Sequence, residues 1–150
     1  MASDKLKIYN KYLLNQMRDV ISLSTDTLKV ALFGEYSNAA DISLEYFSEL
    51  TNELPAVKGY SLGGQALSNV VITETAGIVK VDSSDFVLLA TEGALSARYA
   101  VIYSATSTGQ CLIGSILLNN SPANFVAEEG QNLVIRWPPQ GILFHIANNT

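Results

Sequence analysis

The stretch RYAVIY (98–103), SATSTGQ (104–110), CLIGSILL (111–118) decides the fold. Two apolar, β-branched runs flank a Ser/Thr/Gly segment of the kind that closes a hairpin, so both runs read as strands. Working outward, LVIRW (133–137) and ILFHI (142–146) form a final strand pair, turned by Pro138, Pro139 and Gly141. Upstream, 86–89, 78–81 and 66–73 are further strands, with a turn at 74–77. TLKVALF (27–33) is another, bounded by Ser24-Thr25-Asp26 and Gly34. About eight strands at this spacing are typical of a sandwich or barrel.

The period changes before residue 26. Leu6, Tyr9, Leu13, Met17 and Val20 recur every three or four residues, which is one face of a helix. Ser3 or Asp4 can cap its first free amides. The spacing predicts a helix over about 4–20, its apolar stripe packed across one end of the β body. Leu44, Phe47 and Leu50 suggest one short helical turn or two, and Pro55, Gly59, Gly63 and Gly64 punctuate a loop. The expectation is one domain over 1–150: mostly β, an antiparallel β-sandwich of jelly-roll type with one N-terminal helix and a β-rich body over 26–147. The polar tail 147–150 is expected to fray.

Composition narrows the function. The 150 residues are 48% hydrophobic and only 15% charged, against a usual charged fraction of about 25%. A weakly charged surface favours subunit contacts. The net charge of -5, with nine basic residues against fourteen acids, argues against nucleic acid, which is held mainly by Lys and Arg on phosphates. No basic run suits an anionic membrane surface, no stretch of eighteen apolar residues exists to span one, and the N-terminal segment lacks the pattern of a secretory signal. Cys111 is the single cysteine, so no internal disulfide forms. One histidine and one cysteine do not make a zinc site. No calcium loop or phosphate loop is present, and no cofactor is expected.

One motif points to catalysis. Gly59-Tyr60-Ser61-Leu62-Gly63 fits G-x-S-x-G, and Asp82 or Asp85 and then His145 follow in the order of an α/β-hydrolase triad. That motif needs a buried strand before the serine and a helix after it. Here Asn52 to Lys58 contains a proline and two charges, and VVIT (70–73) reads as a strand. The chain also lacks a βαβ alternation. The glycines are therefore read as a loop leading into a strand, His145 as a surface or interface residue, Cys111 as a core residue, Glu128-Glu129-Gly130 as a solvated turn, and the protein as no enzyme.

A wider likeness runs through YNKY (9–12), DTLKVALF (26–33), YFSELTNE (46–53), GYSLGGQAL (59–67), ARYAVIY (97–103), Trp137 and GIL (141–143). In this order they resemble small structural proteins of tailed bacteriophages, over roughly residues 5–146. The resemblance implies a virion protein. The expected role is capsid decoration: a cement protein bound across major capsid subunits, stabilising the head as a homo-oligomer such as a trimer. A tail, collar or fibre-attachment component of the virion, a carbohydrate-binding or adhesion module, and an esterase are the alternatives. Aromatic and arginine side chains dominate interfaces, so Tyr36, Tyr60, Arg98, Arg136 and Trp137 are the expected contact residues.

Overall fold

The computed structural model describes residues 6–118, 124–138 and 141–146. The chain is mostly β. Its strands are β1 (Lys7–Ile8), β2 (Leu28–Phe33), β3 (Gln65–Ala66), β4 (Val71–Thr75), β5 (Ile78–Asp82), β6 (Phe86–Leu89), β7 (Leu95–Ala97), β8 (Tyr99–Ser104), β9 (Leu112–Leu117), β10 (Phe125–Ala127), β11 (Asn132–Ile135) and β12 (Leu143–Ile146), with one helix, α1 (Tyr12–Met17). All pairings are antiparallel. The large sheet runs β1-β9-β8-β2-β3; three smaller ones are β10-β7, β11-β6 and β12-β5-β4.

The inner face of the large sheet (Leu28, Val30, Leu32, Ala100, Ile102, Ile116) packs on Val81, Phe86, Leu88, Leu95, Leu133, Ile135 and Leu143 of the smaller sheets in one continuous core. Its other face is buried as well. Ala31, Phe33, Val101, Tyr103 and Leu112 lie under Tyr9, Ala39, Leu44, Phe47 and Leu50. The irregular segment after β2 is therefore a cover. Phe47 is its anchor, stacked on Tyr103 at 4.3 Å and edge-on to Phe33 at 6.1 Å between ring centroids. This accounts for the near-continuous apolar runs of β2, β8 and β9, since a strand buried on both faces has no polar side.

A bulge reconciles β9 with this double burial. Ile102 pairs with Gly114 and Tyr103 with Leu112, which leaves Ile113 without a partner in β8 and directed into the main core. One extra residue shifts the alternation, so Leu112 faces the cover while Gly114 and Ile116 face the core. Gly114 in turn admits Leu6, whose side chain lies within 3 Å of where a Cβ would stand.

That packing corrects the expected helix. Of 4–20, residues 4 and 5 lie outside the described residues. Lys7–Ile8 pairs with Ser115 and Gly114 as a strand, and only Tyr12–Met17 is helical. Asp19, at φ 60, stops the helix, and the Asn15 carbonyl accepts from Val20 and Ile21. The buried side is Tyr9, Tyr12 and Asn15; Leu13 and Met17 of the expected stripe are 50% and 78% exposed. Pairing with β9 fixes the chain's orientation and overrides the helical period.

Three other expectations change. The expected strand 66–73 is two short strands, interrupted at Asn69, which has φ 55. The final two strands do not pair with each other: β11 pairs with β6, and β12 with β5. Two short strands, β7 and β10, join them as strands that apolar runs do not announce. The 104–110 hairpin and a 3-10 turn at Phe47–Glu49 form as expected. The tail 147–150 lies outside the described residues.

Candidate functional site

The G-x-S-x-G segment is built around a carboxylate. Glu53 stands opposite Phe33 in a β-bridge at the end of β2. Its Oε2 accepts from the Tyr60 hydroxyl and from the Gly63 amide, both at 2.6 Å. The Tyr60 oxygen accepts in turn from the Leu32 amide at 3.1 Å, and the Tyr103 hydroxyl donates to the Gly63 carbonyl at 2.5 Å. Burial and the hydrogen bond to Glu53 push the Tyr60 phenol far up; burial, then the Glu53 charge, push Tyr103 up to about 12. Gly64 lies so close to β2 that a Cβ would sit 1.9 Å from the Val30 carbonyl oxygen, at φ +80. The chain then continues as β3, not as a helix. Ser61 is exposed, and its carbonyl accepts from Gly64 at 2.9 Å. The serine thus lacks the strand-turn-helix setting that activates an elbow nucleophile. Asp82 accepts from the Ser83 amide, and the His145 side chain lies outside the described residues.

Tyr60 was expected at an interface; it is 4% exposed and holds the loop to β2 from inside. Its polar tip is satisfied within the fold, as a buried phenol requires. Trp137 is half-buried, packed on the core, with its Nε1 donating to the Ser84 carbonyl at 3.0 Å. Arg136 lies on the surface with its Nε 3.9 Å from Asp85, a loose exposed pair that contributes little. Tyr36 is 83% exposed. Arg136 and Trp137 thus lie together against Ser84 and Asp85.

Arg98 lines a cleft. The cover over the large sheet stops near Ala40, and beyond it Leu6, Lys7, Arg98, Tyr99, Ser115 and Leu117 enclose an open cavity of about 600 Å³. Lys7, Ser115, Tyr99 and Leu117 share the covered face of the sheet by register. In a chain of net charge -5, this cavity is lined by two cationic residues and no acid. Its volume is typical of binding clefts. Sequence reasoning found Arg98 but not the cleft, because the cleft depends on where the cover ends.

Exposed apolar side chains include Leu13, Leu14 and Met17 on α1, Val71, Ile72 and Ile78 on the β4–β5 hairpin, and Val87 and Leu89 on β6. Among the described residues no group of three or more His, Cys, Asp or Glu could hold a metal ion, and no helix is long and apolar enough to cross a membrane. Comparison of the chain with protein-family models, with curated proteins and with solved structures finds no match in any of the three.

Proposed function

We propose that this chain is a structural protein of a tailed-bacteriophage virion, and within it a capsid decoration protein that binds across major capsid subunits as a homo-oligomer. The order of motifs from YNKY (9–12) to GIL (141–143) suggests the family. The observation that carries the role is a large sheet packed on both faces, with apolar side chains left exposed around it. Such a body transmits load without deforming and has surface to bury against neighbours. Repetition around the shell then adds avidity to weak single contacts. In this reading the large sheet and the three small ones close as a jelly-roll sandwich.

A density map of intact particles tests the assignment. The chain is expected on the outer surface of the head, bridging capsid subunits. Density confined to the tail, collar or fibres would reject the decoration role, and absence from the particle would reject the virion reading.

A further inference from the structure

We infer that the free edge of β4 is a docking edge for a second copy of this chain, which pairs with it antiparallel about Thr73. The inference does not depend on the virion reading, because it concerns the chain in solution.

The edge is open. All five residues of β4 are exposed, and among the described residues the strand pairs only with β5. The β4–β5 turn consists of Ala76 and Gly77, with φ 53 and 82, the geometry of a two-residue hairpin. In such a hairpin the flanking pair, here Thr75 and Ile78, exchanges both backbone bonds. By alternation Val71, Thr73 and Thr75 bond to β5, while Ile72 and Glu74 present their amides and carbonyls outward.

Exposed edges are usually blunted by shortness, lysine, proline or a bulge. Both edges of the large sheet follow this rule: β1 and β3 are two residues each. β4 does not. It is five residues of sequence VITET, without lysine or proline and in unbroken register with β5.

The strand is also complementary to itself. Antiparallel pairing of its full length sets Val71 opposite Thr75 of the second copy, Ile72 opposite Glu74, and Thr73 opposite Thr73. The outward-facing residues 72 and 74 then form the hydrogen-bonded pairs. Thr73 falls at a non-hydrogen-bonded position, where side chains approach most closely and a threonine pair is favourable. No like charges face each other, and the Glu74 carboxylate is drawn to its own turn by the Gly77 amide at 2.8 Å. A contact of this kind closes on a two-fold axis. It therefore builds a pair, in place of the trimer expected from the sequence, and joins two three-stranded sheets into one of six strands.

Sedimentation over a concentration series tests it. Wild type is expected to reach twice the 16.2 kDa chain mass. Thr73→Lys and Thr73→Glu each set like charges face to face on the axis and are expected to stay at one chain mass at the same concentrations, with unchanged far-ultraviolet circular dichroism. An equimolar mixture of the two variants is expected to recover the doubled mass. Wild type that remains monomeric, a Thr73→Lys variant that still pairs, or a mixture that fails to recover would overturn the inference.

Discussion

Glu53 shows how one side chain can decide the meaning of a motif. Its carboxylate accepts from Tyr60 and Gly63, and bonds to a charged acceptor contribute about 1.5–3 kcal/mol each. Glu53→Ala is expected to lower stability by about 3 kcal/mol in urea unfolding, whereas Ser61→Ala, on an exposed side chain, should change it by less than about 0.5 kcal/mol. The reverse ranking would return the serine to the centre of the loop. Gly64→Ala should be worse than either, since no L-residue fits its φ and its contact with Val30 together. Cys111 is fully buried, and burial pushes its thiol up. It should resist thiol reagents in native buffer and react once the chain is unfolded, because the thiolate is the reactive form.

At the scale of elements, the cover over the large sheet is the part most open to test. Phe47→Ala removes a stacked ring from Tyr103 and an edge contact with Phe33. The expected loss is about 2 kcal/mol, with new dye binding to the exposed face. Unchanged stability would mean that the cover rests on the sheet without bracing it. The elements also show which signals sequence carries. Runs such as TLKVALF and RYAVIY declared their strands because long apolar, β-branched segments have few other uses. The N-terminal helix was misread because Leu6, Tyr9, Leu13, Met17 and Val20 fit a helical period, while the deciding contact, Leu6 against Gly114, lies more than a hundred residues away. β7 and β10 have three residues each, too few to show a period. Of the candidate site, Arg98 was read only as a contact residue, and the cleft beside it was not legible. Nor was the inward setting of Tyr60, since only Glu53 and Leu32 hold its hydroxyl.

For the whole molecule, the buried phenols set an alkaline limit. Burial pushes Tyr12 to about 12, and burial together with Glu53 pushes Tyr103 to about 12, from an ordinary 10.0. A phenol raised in this way keeps its proton in the folded state over a range where the unfolded chain has lost it. Its contribution is full below about pH 10 and declines as pH rises toward 12. Stability measured by denaturant should therefore fall steadily across that window, and a flat profile would show that these rings reach solvent. The same double burial has a kinetic consequence. β8 has a strand on either side and a packed layer above and below, so its central amides have no route to deuterium short of opening the entire domain. Isotope uptake at Val101 and Ile102 should thus be the slowest in the chain and should report the global unfolding free energy, while the Ile72 and Glu74 amides label at once in any separated copy.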